Sequence, residues 1–336
     1  MKIEERVKAF VQLGQYIKSL PEEKFKTLAE RIRVENPWFT EESLRMAVSG
    51  IGQFLGEKEL RDWLSGYTLV DKKPPKKVAL ILAGNIPMVG FHDLLCVLIH
   101  GDIALVKLSA KDTVLIKWIT SNLIEIDERF SDKIIFAERL KSFDAVIATG
   151  SDNSARYFDY YFGKYPHVIR KNRTSVAILD GTESEAEMRA LGSDVFTYFG
   201  LGCRNVSKLF VPTGYKFDAL FRSWEPFKDI IHHHKYCNNY DYQKSVLLVT
   251  QTLFLDNGFI MIQESERLVS PISVLYFEHY DSVEALDNKL NAVGDKLQCI
   301  VGKISPAIIS FGETQCPALG DYADRIDTLK FLSNLG

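Results

Sequence analysis

Several features that would assign this sequence quickly are missing. It has only five cysteines in 336 residues. That odd count, with no C-x-x-C pair, argues against both a disulfide framework and a structural zinc site. No apolar run approaches the roughly 20 residues that span a bilayer. The opening MKIEERVKAF is charged and helical in pattern, so no signal peptide is expected. Charge of one sign is also lacking. The formal net charge of −3 gives no electrostatic reason to expect nucleic acid or an anionic membrane as partner. Neither G-x-G-x-x-G nor a Walker A loop occurs, so the usual dinucleotide and phosphate fingerprints are absent. A chain with free thiols remains, and a reducing cytoplasm is its simplest compartment.

What is present fits two α/β domains. The length exceeds one small core, and 46% hydrophobic content is ordinary for a globular chain. Residues 2–35 carry Val7, Phe10, Val11, Ile17 and Leu20 at roughly helical spacing. Thr40 before Glu41 and Glu42 reads as a helix start, with carboxylates in the positively polarised first turn. The run Lys72-Lys73-Pro74-Pro75-Lys76-Lys77 is a predicted turn, since adjacent prolines exclude helix. Short apolar or β-branched runs then alternate with helical stretches at Val78–Ala83, Ile103–Lys107 and Ala145–Ala148. The alternation resumes at Ser175–Leu179, Lys208–Val211, Ser245–Thr250 and Ser273–Phe277. This is the pattern of βαβ units and mostly parallel sheets. Pro212 is a natural strand stop. The expected boundary near residue 172 gives an N-terminal helical and cofactor-binding part (1–172), a cysteine-bearing catalytic part (173–310) and a C-terminal tail (311–336).

Four segments stand where such sheets build sites. Ala83-Gly84-Asn85-Ile86-Pro87 leaves the carboxyl end of a predicted strand, where Asn85 offers an amide N–H to an oxyanion. A Gly-Asn turn capping the next helix explains that segment equally well. Lys107 ends an otherwise apolar strand, with Ser109 two residues on, and can reach a ribose hydroxyl or a phosphate. A solvated strand-end lysine is the plainer alternative. Ala148-Thr149-Gly150-Ser151 reads as strand, turn and helix, suiting a pyrophosphate through backbone N–H groups. Helix capping by Ser151 is as good a local account. Finally, Cys203 follows Gly200-Leu201-Gly202 and precedes Arg204, so glycines allow close approach and a guanidinium favours the thiolate. An isolated cysteine is more often structural.

The consecutive histidines His232, His233 and His234 point in different directions on any regular element, so no metal is expected there. Cys96, among Leu94, Leu95, Val97 and Leu98, reads as core. No role is assigned to Cys316, and spacing selects neither His92 nor His100 as a proton donor.

Together these segments resemble the aldehyde dehydrogenase superfamily, and more closely its acyl-CoA reductase branch, the LuxC-type fatty acid reductases. Asn85-Ile86-Pro87 is similar to the N-F-P turn, whose Asn helps form the oxyanion hole. Val106-Lys107-Leu108-Ser109 resembles the V-K-P-S segment, whose Lys contacts the adenosine ribose. Thr149-Gly150-Ser151 resembles the T-G-S turn at the cofactor pyrophosphate, and Gly200-Leu201-Gly202-Cys203 the G-Q-x-C nucleophile motif. Glu264-Ser265-Glu266-Arg267-Leu268-Val269-Ser270-Pro271-Ile272 looks like the E-E-x-F-G-P-V segment, which makes Glu266 the implied ligand of the nicotinamide ribose. Phe311–Pro317 and Asp324–Leu332 resemble the LuxC-type C-terminus. The resemblance runs from about residue 75 to the end.

The implied fold is aldehyde-dehydrogenase-like: α/β, two α/β domains with mostly parallel sheets, the first a Rossmann-like cofactor domain. The implied cofactor is NADPH or NADH, and the implied substrate a coenzyme A thioester. One departure bears on the reaction. Superfamily members that oxidise aldehydes carry a Glu in an E-L-G-G-K segment that activates water. Here Ile169 occupies that place, 34 residues before Cys203, and His167–Asn172 contains no carboxylate. An apolar side chain cannot deprotonate water, so hydrolytic release should be slow. The expectation is an NAD(P)H-dependent acyl-CoA reductase working through an S-acyl-cysteine. Two rivals are a coenzyme-A-independent aldehyde dehydrogenase and a non-reducing, acyl-carrying subunit. A homo-oligomer or an acyl-transferring partner protein is compatible with either reading.

Overall fold

The structure, a computed structural model, describes residues 1–69, 74–150 and 152–335. It divides into two units, Met1–Asn172 with Ala318–Gly336, and Arg173–Pro317. Among the described residues no helix is long and apolar enough to cross a membrane.

The first unit opens with four helices, α1 (Ile3–Lys18), α2 (Glu22–Glu35), α3 (Glu41–Phe54) and α4 (Glu57–Leu64). The helical pattern over 2–35 is thus two helices, α1 stopping at Lys18 and α2 starting after Pro21, whose carbonyl accepts Phe25 N–H at 3.0 Å. Thr40 caps α3 as its sequence suggests, its Oγ1 accepting from Ser43 N–H at 3.2 Å. After Pro74 and Pro75 the chain alternates: β1 (Lys77–Ile81), α5 (Phe91–His100), β2 (Ile103–Lys107), α6 (Thr113–Ile126), β3 (Ile134–Phe136), β4 (Ala145–Thr149), α7 (Asp152–Phe162) and β5 (His167–Arg170). Lys72 and Lys73 of the predicted turn lie outside the described residues.

All five strands are parallel, in the order β3-β2-β1-β4-β5. The chain runs outward from β1 through β2 to β3, then returns to place β4 on the other side of β1. That reversal is a topological switch point, the position where open α/β sheets bind ligands beyond their carboxyl ends. One sheet face packs through Val78, Leu80, Ala104 and Val106 against a large apolar core that includes α1 and α5. The other packs through Ala79, Val146 and Ala148 against Phe158 and Phe162 of α7. Cys96 is fully buried in α5, and burial pushes its thiol well above the ordinary range.

The second unit holds β6 (Thr174–Ile178), α8 (Glu185–Phe196), β7 (Val206–Pro212), α9 (Asp218–Ser223), α10 (His234–Val249), β8 (Leu255–Asp256), β9 (Met261–Glu264), β10 (Val274–Tyr280), α11 (Val283–Ala292) and β11 (Leu297–Val301). Its six-stranded sheet has the order β11-β6-β7-β10-β9-β8, antiparallel only between β8 and β9. Pro212 closes β7. One expected strand is overturned, since Ser245–Val249 is the last part of α10. That helix is anchored upstream where His233 Nδ1 accepts from Tyr236 N–H. Its buried residues, Tyr236, Tyr240 and Leu247, recur at spacings that suit a helix face rather than alternation. The remaining helix, α12 (Thr328–Ser333), belongs to the first unit.

Candidate active site

In the first unit, Asn85, Lys107, Ser109 and Gly150 gather on one sheet edge, because β2, β1 and β4 are adjacent and parallel and each residue lies at or just past a carboxyl end. Leu82 N–H donates to Lys107 O at 3.1 Å, carrying the β1–β2 ladder into the loops. Gly84 then presses on the second loop: a Cβ there would come within 2.5 Å of Ser109 Oγ. Asn85 and Lys107 are solvent-exposed and Ser109 is half-buried. Gly150 N–H reaches Arg170 O at 3.4 Å. Ser151 lies outside the described residues. Glycines, a cation and a hydroxyl at the switch point fit a dinucleotide, with the neighbouring turn suited to its phosphates.

Ile169 is half-buried and packs against the buried cluster of Ala79, Val146 and Ala148. Its neighbour Arg170 turns inward, where the guanidinium pairs with Asp93 and donates to Thr328 Oγ1 at 2.9 Å. Facing Asp93 and the Asp324 charge, Arg170 holds its proton more tightly than usual despite its burial. Sequence patterning does not reveal this pair, because Asp93 reads as an ordinary acidic residue in the first turn of a helix.

In the second unit, Cys203 occupies the turn that feeds β7 and is half-buried. Its carbonyl accepts from Ser175 Oγ at 3.0 Å, and Ser175 Oγ also receives Cys299 N–H at 3.1 Å. One side chain therefore ties the cysteine to β6 and β11. Asn205 does more. Its Oδ1 accepts from Gly202 N–H (2.8 Å), and its Nδ2 donates to Asp194 O (3.1 Å) and Thr197 O (2.8 Å). The Asp194 carboxylate in turn receives Gly312 N–H, Thr314 N–H and Thr314 Oγ1–H. Burial raises the Asp194 carboxyl, and those three donors oppose the rise.

The approach to Cys203 is strained. Tyr198, Phe199 and Gly200 have φ of +52°, +58° and +75°. Two bulky residues in the left-handed region carry a conformational penalty of about 1–3 kcal/mol each, which surrounding contacts must hold. Phe199 packs on the His233 ring at 4.3 Å and on Tyr236 at 6.2 Å. His233 is thus a packing partner of the cysteine turn. Arg204 donates to Cys299 Sγ and Thr314 O. Burial, with the Cys316 charge, pushes the Tyr198 phenol up to about 12, so it stays neutral.

Glu266 is exposed on the loop that returns from β9 to β10. The same loop is held at Leu268 O, which accepts from Ser207 Oγ at 2.7 Å. Below it Lys208, wholly buried, pairs with Glu278. Burial lowers the Lys208 ammonium, while the Glu278 and Glu266 charges pull it back up. The sequence gives only a weak signal for Asn205 and none for Ser175 or Asp194. An Asx residue between a turn and a strand is the one hint.

A parallel α/β unit followed by a second, mostly parallel sheet is an arrangement shared with solved aldehyde dehydrogenases. Solved structures agree on the fold. Aldehyde dehydrogenase 21 of Physcomitrella patens, in complex with succinate, is 12% identical and superposes with a TM-score of 0.69 over 100% of this chain and 84% of that one. Indole-3-acetaldehyde dehydrogenase of P. syringae, in complex with NAD+, is 14% identical, with a TM-score of 0.67 over 91% and 74% of the two chains. The NAD+ complex of aldehyde dehydrogenase from Bacillus cereus is 13% identical, at 0.61 over 90% and 72%. No curated protein sequence matches. The acyl-CoA reductase (LuxC) family model matches residues 16–219, and the chain belongs to that family. It is an oxidoreductase acting on acyl or aldehyde groups.

Proposed function

We propose that the protein reduces an acyl-CoA, a fatty acyl thioester in the first instance, to the aldehyde through an S-acyl-Cys203 intermediate, with NADPH or NADH as reductant. The observation that carries this reading is the Cys203 turn. A strained backbone ahead of it and polar ties to the buried residues Ser175 and Asn205 fix one half-buried thiol at the head of β7. The Cys203 thiolate attacks the thioester carbonyl carbon, and the Asn85 amide N–H donates to the developing oxyanion. The bond to the coenzyme A sulfur then breaks, and that thiolate leaves and takes up a proton. When bound, a reduced nicotinamide would supply a hydride, and the Asn85 amide N–H would hold the oxyanion of the resulting Cys203-bound thiohemiacetal anion. Collapse releases aldehyde and restores the Cys203 sulfur.

Lys107 and Ser109 would hold the adenosine ribose, Gly150 and Ser151 the pyrophosphate, and Glu266 the nicotinamide ribose. Ile169 provides no base for water, which favours exchange with a thiol over hydrolysis. A reducing cytoplasm suits this chemistry, since it needs the thiol free. The test follows NADPH and NADH oxidation with a series of acyl-CoA chain lengths, in wild type and Cys203→Ala. Oxidation that depends on acyl-CoA and vanishes in the alanine variant is expected. Retention of activity by Cys203→Ala would refute the covalent route, and steady acid production from aldehyde without coenzyme A would favour an ordinary aldehyde dehydrogenase.

A further inference from the structure

Asp112 is a carboxylate with no place in the mechanism above, yet it is only 1% exposed. It stands just before α6, where an aspartate would normally cap the helix. Glu35 of α2 has taken that task, its Oε2 accepting Thr113 N–H and Val114 N–H at 3.0 Å each. The Asp112 side chain points elsewhere. Its Oδ2 accepts Met88 N–H at 2.8 Å, while its Oδ1 has no hydrogen-bond partner among the described residues. Met88 is buried, lies three residues after Asn85 and has φ +56°. A left-handed non-glycine residue needs a local tie to stay there, and this bond is such a tie. The backbone of Asp112 binds the other loop, N–H to Ser109 O at 3.2 Å. One residue thereby joins the loop of Asn85 to the loop of Lys107 and Ser109.

We propose that Asp112 is a positioning residue that sets the place of the Asn85 amide through Met88 N–H and links it to the cofactor-side loop. This rests on the functional reading above. Burial pushes the Asp112 carboxyl up to about 7, with the Glu35 charge adding to the rise and Met88 N–H opposing it. Lys111, which precedes Asp112 in the chain, and Lys107 at the end of β2 are exposed. Below that pH the carboxyl takes a proton and holds Met88 N–H less strongly; above it the charged form holds it fully. Activity that depends on Asn85 therefore rises as pH passes through neutrality.

The test pairs hydrogen exchange at the Met88 amide with steady-state kinetics in Asp112→Ala and Asp112→Asn. In Asp112→Ala, Met88 exchange accelerates and kcat falls about 10–100-fold, while KM for acyl-CoA stays within about threefold, because the lost contact acts in the transition state. Asp112→Asn keeps an oxygen acceptor. It retains Met88 protection and most of kcat above neutrality, and it loses the step in the pH profile. Should the alanine variant not fold, Asp112→Asn and its pH profile decide alone. Unchanged exchange and kcat in Asp112→Ala, or the same pH step in Asp112→Asn as in wild type, overturns the proposal. If wild type oxidises no NAD(P)H with acyl-CoA, the functional reading fails. Met88 exchange in the variants then still decides whether Asp112 holds the loop.

Discussion

At the scale of single residues, Asn205 shows how much a turn can depend on one amide. Its side chain satisfies Gly202 N–H and two carbonyls at the end of α8 and just past it, the bond to Asp194 O buried and the other two partly so. Replacing it with alanine leaves those groups unpaired. Each such loss costs about 1–3 kcal/mol when buried. Asn205→Ala should accordingly lower the thermal midpoint and loosen the turn that carries Cys203. The thiol then reacts with a small alkylating agent such as iodoacetamide at a changed rate even where the variant remains folded. Equal rates in variant and wild type at matched temperature would show that Ser175 and the Phe199–His233 contact hold the turn without Asn205.

At the scale of elements, the first unit is organised by carboxylates that reach across the chain from where helices begin. Asp93 of α5 pairs with Arg170 at the end of β5, and both are nearly inaccessible to water. Breaking one side of a buried ion pair strands the other charge, at about 3–5 kcal/mol. Asp93→Asn should therefore destabilise more than an exposed exchange such as Asp62→Asn, although both remove one charge. Urea denaturation of the two variants measures the difference, and equal midpoints would contradict the argument. The strands flanking this pair were legible in the sequence. β1, β2 and β4 are short apolar runs bounded by turn residues, and the structure places them within a residue or two of expectation. Ser245–Val249 misled because four apolar residues in a row look like a strand until the upstream helix face of Tyr236 and Tyr240 is counted. The motif positions Asn85, Lys107 and Cys203 were visible as residues at strand ends. Asp112, Asp194 and Asp93 were not, because their meaning lies in partners 24, 118 and 77 residues away. Local composition does not encode such pairings.

At the scale of the molecule, the chain leaves the first unit after Asn172, builds all of the second, and returns at Ala318. The returning segment is part of a core. Leu319, Tyr322, Leu329 and Leu332 are buried with the helices of the first unit. The Tyr322 hydroxyl accepts Trp63 Nε1–H at 2.9 Å, and Tyr67 Oη donates to Asp327 at 3.0 Å. Thr328 takes part in the Arg170 cluster. Fully burying one large apolar side chain is worth about 1.5–3 kcal/mol. Four of them together rival the 5–15 kcal/mol by which a typical domain is stable. A chain stopped at Pro317 should thus fail to form the first unit while leaving the second, Arg173–Pro317, uninterrupted. Near-ultraviolet circular dichroism should show the Trp63 and Tyr67 environment lost, and a dye that binds exposed apolar surface should respond. Protection of β6, β7 and β10 amides from exchange should persist, since their partners all lie in the intact stretch. If the truncated chain instead kept native signals throughout, the first unit would owe its stability to residues 1–172 alone.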